Sequence, residues 1–298
     1  MPKIPTLKSL YNNNNILFDE QKCIKFLFEN DILYKPKSCS HCDSSLYYEH
    51  KRKLYRCNNR QCYKSVSIYK DSFFANSHLK CSDVMLIGYL WLCKCSYSSI
   101  KKMTGHSSNT ITSYMKYFRE LVISTLEDDN HIIGGEGVIV EFDESLFGQR
   151  KYHRGRLIPG VWVVGGIERT VEKRCFVQVV YDRTAATLHD IISRHVAPGS
   201  IVYTDLWRGY IGISELNNIT HGTVNHSQNF VDPNTGVHTN TIEGLWNGIK
   251  LNISPRNRTK DAVTNHLLEF IWRKKNKNDP WGGFLHALRT TGYFDNNT

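Results

Sequence analysis

Between residues 137 and 182 the chain carries three successive runs dense in valine, isoleucine and aromatic residues: GVIVEFDES, GVWVVGGIER and RCFVQVVYD. β-Branched and aromatic side chains fit a pleated surface, and such runs joined by short polar connections pair as consecutive antiparallel strands. The segment that follows, TAATLHDIISRHV, has helical spacing. SIVYTD and HGTVNH are strand-like again, and TNTIEGLWNGIK, from Thr239 to Lys250, is helical. The order is β-β-β-α-β-β-α, with room for one further helix between the last two strands. That order specifies an α/β domain, a mixed sheet flanked by helices.

Two of these strands end in an acid. Asp143 closes the apolar run 137–142 and Asp205 closes 200–204. If the two strands are neighbours, their carboxylates stand side by side, and hard oxygen donors suit magnesium. Two such ions roughly 3.5–4 Å apart activate the attacking oxygen and stabilise the leaving oxygen of an in-line phosphoryl displacement. Glu243 is the candidate third acid. It sits in the helical run Thr241–Leu251, and Lys250, seven residues on, shares its helix face, as does Asn247. The same face therefore offers a carboxylate to metal and a cation to a substrate phosphate. Glu141 lies on the pleat face of Asp143 and Glu144 follows it directly; each is a supporting or a surface residue. His226 and His238 flank the loop before the helix and read as structural or substrate-contacting. A single aspartate at a strand end is commonly a turn residue. The combination of three acids and a lysine points to phosphoryl chemistry.

Upstream, residues 37–75 alternate β-like pieces, SLYYE and KLYRC, with two cysteine pairs. Cys39 and Cys42 are spaced C-x2-C, and Cys57 and Cys62 C-x4-C. Each short loop turns two thiolates toward one point, and four soft ligands close a tetrahedral zinc shell with no open position for catalysis. The expectation is a structural zinc that staples a β-rich module too small to hold itself by its core. His41 and His50 are alternative ligands. The other five cysteines, Cys23, Cys81, Cys93, Cys95 and Cys175, fall mostly in apolar surroundings and read as core thiols.

Residues 1–36 hold an asparagine run and one short helix over Gln21–Asn30. Residues 76–130 turn helical, with Ser82 as an N-cap and a helix–turn–helix-like pair broken at Gly105, its second helix capped by Ser107 or Ser108. In such a pair the start of the second helix enters the major groove, which assigns Ser108, Asn109, Thr112 and Lys116 to DNA. Glu127–Gly137 is the boundary to a catalytic domain over 137–285, and 286–298 is a tail. The net charge of +10 favours a polyanionic partner. Between Lys35 and Lys64 eight Lys or Arg stand against only Asp43 and Glu49, and Lys51, Arg52 and Lys53 within that stretch are assigned to DNA as well. Arg256, Arg258 and Lys260, then Arg273, Lys274 and Lys275, form a second basic stretch. No apolar run reaches the roughly 18–20 residues that span a bilayer. The N-terminal residues lack a secretory pattern, so a reducing compartment is expected.

Several segments of the chain together resemble the Merlin transposases of eukaryotes and their bacterial insertion-sequence relatives. They are Asp143-Glu-Ser-Leu-Phe-Gly-Gln-Arg-Lys-Tyr-His-Arg-Gly-Arg, Trp162-Val-Val-Gly-Gly-Ile-Glu-Arg, Asp182-Arg-Thr, His195-Val-Ala-Pro-Gly-Ser-Ile-Val-Tyr-Thr-Asp205-Leu-Trp-Arg, and Val224-Asn-His-Ser-Gln-Asn-Phe-Val-Asp-Pro-Asn-Thr-Gly-Val-His-Thr-Asn-Thr-Ile-Glu243-Gly-Leu-Trp. The likeness spans most of residues 137–285. It implies a DDE-type domain of RNase H-like fold behind a zinc-ribbon-like and a helix–turn–helix-like module. Asp143, Asp205 and Glu243 become the first, second and third acids, holding two magnesium or manganese ions. Some bacterial relatives use asparagine in the third role, and Asn240 lies one helical turn before Glu243. The implied substrates are double-stranded transposon terminal inverted repeats and target DNA. Water first hydrolyses the transposon end and the freed 3′-OH then attacks the target. Pairing of two ends implies a homodimer or higher homo-oligomer without a membrane. The closer likeness to the eukaryotic branch implies a nuclear location, or cytoplasm and nucleoid for a bacterial source. A domesticated DNA-binding protein and an RNase H-like nuclease without strand transfer are the alternatives.

Overall fold

The computed structural model describes residues 4–13, 15–126, 132–148 and 160–290. The expected boundary at 127–137 and the 286–298 tail fall partly outside the described residues, and the Gln149–Arg156 part of the family-like segment falls wholly outside them. The chain divides into two compact units, Met1–Thr125 with Asn276–Thr298, and Leu126–Lys275.

In the first unit α1 (Leu7–Asn13) and α2 (Glu20–Glu29) precede an antiparallel sheet of β1 (Leu46–Glu49), β2 (Leu54–Cys57) and β3 (Ser65–Ser67). Helices α3 (Cys81–Leu92), α4 (Tyr97–Thr104) and α5 (Ser108–Ser124) follow. The α2 helix begins where the Asp19 carboxylate accepts from the N–H groups of Gln21 and Lys22, at 2.9 and 3.0 Å. Ser82, the expected cap of α3, instead lies inside its first turn, because the cap position is Lys80 and makes no side-chain bond. The capping acceptor comes from α2: Glu20 Oε2 accepts from the Ser82 N–H at 3.0 Å and hydroxyl at 3.2 Å. A half-buried carboxylate needs a cation, and Lys53 Nζ meets Glu20 Oε1 at 2.5 Å. Lys53 thus ties the β1–β2 turn to α2 and, through Glu20, to α3. Gly105, at φ +72°, ends α4 in the left-handed conformation, and Ser107 caps α5 by accepting from the Thr110 N–H at 3.2 Å.

The second unit contains β4 (Ile133–Gly134), β5 (Ile139–Phe147), β6 (Val161–Glu168), β7 (Cys175–Val180), α6 (Ala185–His195), β8 (Val196–Ala197), β9 (Ile201–Asp205), β10 (Thr220–Val224), α7 (Asn240–Asn252) and α8 (Lys260–Lys275). Among the described residues its main sheet has five strands in the order β10-β9-β5-β6-β7. β5, β6 and β7 are antiparallel neighbours, as their sequence implies, while β9 runs parallel to β5 and β10 parallel to β9. Where the sequence left room for a helix between β9 and β10, two single 3-10 turns stand, Arg208–Tyr210 and Ile213–Glu215. The period of two sorts the sheet into faces. Val140, Phe142, Val164, Phe176 and Val202 pack with Leu188, Ile191 and Ile192 of α6. Phe147, Val161, Val163 and Ile167 pack with Ile242, Leu245, Trp246 and Ile249 of α7 and with Val263 and Leu267 of α8.

The last helix, α9 (Pro280–Thr290), belongs to the first unit, although the sequence pattern places residues to 285 with the catalytic domain. Phe284 of α9 packs on Phe118 of α5 at 5.5 Å between ring centroids, and it lies so close to Gly88 of α3 that a methyl there would stand 2.8 Å from the ring. Of the five cysteines read as core thiols, Cys23 and Cys81 are buried, Cys95 and Cys175 half-buried and Cys93 exposed. No described helix is long and apolar enough to cross a membrane.

Candidate active site

Asp143 is the fifth of the nine residues of β5, opposite Gly165 of β6; it stands in mid-strand and not at the strand end that the apolar run implies, because Ser145 and Phe147 continue the pairing with β6. β5 pairs with β9 from Ile139 with Ile201 to Glu141 with Tyr203. Asp143 and Asp205 each stand two residues beyond that last pair, so the pleat directs both to the side of Glu141, the face covered by α7. Trp246 of α7 donates its indole N–H to Asp143 Oδ2 at 2.9 Å. Gly165 makes this possible, since a methyl there would come within 2.8 Å of the Trp246 ring. Asp205 accepts the Trp207 N–H at 2.8 Å and ends β9 opposite Val224.

The third acid is held through a residue whose sequence position leaves it between supporting and surface roles. Glu141 is fully buried; its Oε2 accepts the Ile242 N–H in the first turn of α7 at 2.8 Å, and its Oε1 accepts Arg169 Nε at 2.5 Å. Arg169 lies 4.8 Å from the Tyr203 ring centroid and donates to the His238 carbonyl at 2.5 Å, with His238 Nδ1 at 2.8 Å. The helix is therefore fastened to β5 through Glu141 at its start and Trp246 one turn later, and Glu243 lies between those two points. Its side chain is 47% exposed, with His226 Nε2 at 3.9 Å from Oε1. His226 also meets Thr239 Oγ1 at 2.7 Å. Lys250 Nζ is 5.6 Å from the ring of Phe147, which is on the same β5 face as Asp143. Asn240 opens α7 with its N–H 3.4 Å from His238 Nδ1. Nothing in the run-up to the helix announces Arg169 or Trp246 as site residues; the glycine opposite Asp143 is the one local signal that something bulky enters there.

Burial pushes Asp143 up to about 6, and the charges of Asp205 and Glu243 act in the same direction, against the Trp246 and backbone hydrogen bonds. The three carboxylates thus lie within electrostatic reach of one another. Their donor atoms do not all lie within 4.8 Å of one another: among the described residues, four cysteines are the only group of three or more ligand-type side chains that do. An all-oxygen set of three acids fits a hard divalent ion. Glu144 points to the opposite face, where it accepts from the Tyr210 hydroxyl; burial first, then Asp143 and Asp205, push it up to about 7.

Residues 125–274, half of the chain, match the ISXO2-like transposase domain. The chain belongs to this Merlin-related family of transposases. It is also 33% identical over 104 residues to an uncharacterized transposase-like protein of Haemophilus influenzae, covering 35% of this chain and 82% of that protein. Two solved structures are distant likenesses. One is a pre-cleavage Mos1 transpososome, at 9% identity and a TM-score of 0.22. The other is a Mos1 transposase paired-end complex with left transposon end, at 10% and 0.24. Each likeness covers 71% of this chain and 79% of the other. Scores this low leave the fold to be read from the strand order itself.

The one metal-type cluster among the described residues lies in the first unit. Cys39 and Cys62 sulfurs lie 3.7 Å apart and Cys42 and Cys57 3.5 Å apart. A tetrahedral zinc with bonds of about 2.3 Å sets sulfur–sulfur edges of about 3.8 Å, so the cluster is shaped for a structural zinc. Hydrogen bonding with Ser44 pulls Cys42 down to about 6, whereas burial pushes Cys57 up to about 12. Of the residues assigned to DNA, Asn109, Thr112 and Lys116 are on α5 at helical spacing. Ser108 accepts from Lys101 Nζ at 3.0 Å, and Lys116 pairs loosely with Glu120 at 3.6 Å. Lys51 is exposed, and Arg52 is exposed with Glu49 at 3.4 Å.

Proposed function

We propose that this ISXO2-like transposase cuts DNA at transposon terminal inverted repeats and joins the freed ends to target DNA, through Asp143, Asp205 and Glu243 on an RNase H-like domain. The observation that carries the reading is the β5–β9 register, which aligns two acids on the face that α7 covers with the third. A mixed five-stranded sheet with helices on both faces supports the RNase H-like assignment. Magnesium or manganese, when bound, would supply activation of the attacking oxygen and charge compensation at the leaving oxygen. Asp143 and Asp205 hold the ions from the sheet and Glu243 completes the oxygen set from the helix. Trp246 orients the Asp143 carboxylate, leaving its second oxygen for metal. Lys250 steadies the substrate phosphate from the far end of the same helix face. Glu141 and Arg169 keep the start of α7 against β5, so that Glu243 keeps its distance from the aspartates.

DNA is engaged by the α5 residues Asn109, Thr112 and Lys116 with Ser108 at the helix start, and by Lys51 and Arg52 of the zinc module. Two transposon ends are paired by at least two copies of the chain. The deciding experiment incubates the protein and its Asp143→Asn variant with magnesium and end-containing DNA and resolves cut from joined products. Cuts with joined products support transposition, cuts alone an RNase H-like nuclease, and binding without cuts a domesticated DNA-binding protein. Cleavage retained by a pure Asp143→Asn preparation refutes the site.

A further inference from the structure

We infer that Arg183 and Arg208 form a phosphate-binding edge around Trp207 that grips the sugar–phosphate backbone of a DNA strand, an inference that rests on the function just proposed. Arg183 follows β7 and stands directly before Thr184, the N-cap of α6. Its guanidinium carbon lies 3.7 Å from the ring centroid of Trp162 and 4.6 Å from that of Trp207. Trp207 is the residue whose N–H holds the Asp205 carboxylate, and its indole N–H reaches the Arg183 carbonyl at 3.5 Å. One residue thus meets both, the acid through its backbone N–H and the arginine through its ring. Arg208 brings a second guanidinium to 5.7 Å from the same Trp207 ring.

Among the described residues neither guanidinium makes a hydrogen bond or an ion pair. Arg169, Arg174, Arg194 and Arg273 each meet a carboxylate at 2.5 to 2.8 Å. A guanidinium lying over indole rings loses little further freedom on binding and keeps its planar fork of N–H donors for an oxyanion. Phosphodiesters match that fork bidentately. The edge also answers an electrostatic need. A polyanionic strand must approach three carboxylates, and two cations gathered at Trp207, two residues after the second of them, offset that repulsion.

The test uses the full chain without divalent metal and a fluorescein-labelled duplex of arbitrary sequence, titrated over a range of salt. R183Q should bind more weakly, and its slope of log affinity against log salt should be shallower by about 0.9, the value for one phosphate no longer neutralised. R208Q should change both in the same direction and less. Because R183Q can disturb the tryptophans, the wild-type protein is also treated with phenylglyoxal and its modified arginines located by peptide mass mapping. Arg183 should react in the free protein and be protected by the duplex. Equal modification with and without DNA overturns the proposal, as does an R183Q protein with wild-type affinity and salt slope. Either result would leave Arg183 serving Glu144, whose Oε1 is buried without a partner. Protection in a protein that never cuts DNA would leave this edge standing while refuting the catalytic reading, so the two failures are distinct.

Discussion

The four-cysteine cluster and the proposed three-carboxylate site both gather ligand-type side chains, and they are built in opposite ways. The cysteines are brought together by local geometry: two short knuckles stand at the ends of the β1–β2 hairpin, whose register sets Leu46 against Cys57 and so draws both pairs to one point. Their sulfurs already lie within 4.8 Å of one another. The carboxylates come from two strands and a helix, remain wider apart, and are each held from behind, Asp143 by Trp246, Asp205 by Trp207, and Glu243 through the Glu141 anchor of α7. A closed site of soft ligands needs only chain turns, while an open site for reacting groups needs a scaffold that resists the mutual repulsion of its anions.

The largest expected effect is on the closed site. Stripping zinc, or Cys39→Ser, should abolish hydrogen-exchange protection over residues 37–75, since structural zinc contributes on the order of 10 kcal/mol to such small modules. Chelating magnesium should lower the Tm of the second unit but leave it folded. Equal sensitivity of the two units would erase the contrast between them.

Next comes the buried anchor of α7. Arg169→Ala leaves Glu141 buried and uncompensated, so urea melts of the second unit should lose about 3–5 kcal/mol. A variant as stable as wild type would mean that Glu141 is not held by charge.

Asp143→Asn should separate function from stability. Cleavage should fall by orders of magnitude, while the metal-free protein gains about 2 kcal/mol, because a carboxyl pushed up to about 6 resists ionising in the fold. The sign follows from proton uptake. Between about pH 4 and 6 the folded carboxyl keeps a proton that the unfolded chain has lost, so metal-free stability rises as pH falls through that window and declines as pH rises. Magnesium binding needs the ionised form, so the magnesium-induced rise in Tm should be larger at about pH 8 than at about pH 5. A magnesium effect independent of pH would remove Asp143 from the ligand set.

The smallest effect expected is Gly165→Ala, which crowds Trp246 and should cost about 1–3 kcal/mol. Partial loss of cleavage should accompany it through the Trp246–Asp143 bond. Full activity with unchanged Tm would show that Trp246 can shift without moving the acid.

Much of the molecule is legible in the amino-acid order. The alternation in residues 137–182 is a period-two code for β5, β6 and β7, and it also separates Val163 from Val164 onto different faces. The strand-end position of Asp205 and the helical spacing of Glu243 and Lys250 are equally local, whereas β5 runs on to Phe147 and leaves Asp143 in mid-strand. Other features are opaque. Glu141 and Lys53 look like ordinary surface charges in sequence, and each turns inward because a partner lies far along the chain, Ile242 for the one and Glu20 for the other. The cap of α3 comes from α2 and not from Ser82, and α9 joins the first unit because Gly88 leaves space for Phe284.

By itself, then, the amino-acid order determined what short-range rules encode: strands, helices, the cysteine knuckles, and the acid that ends β9. Tertiary structure alone decided which charges are buried, what holds α7 over the sheet, and to which unit the last helix belongs. The reason is physical. Backbone periodicity depends on neighbours a few residues away, whereas the cost of burying a charge depends on whether an opposite charge or a free N–H arrives from elsewhere in the chain.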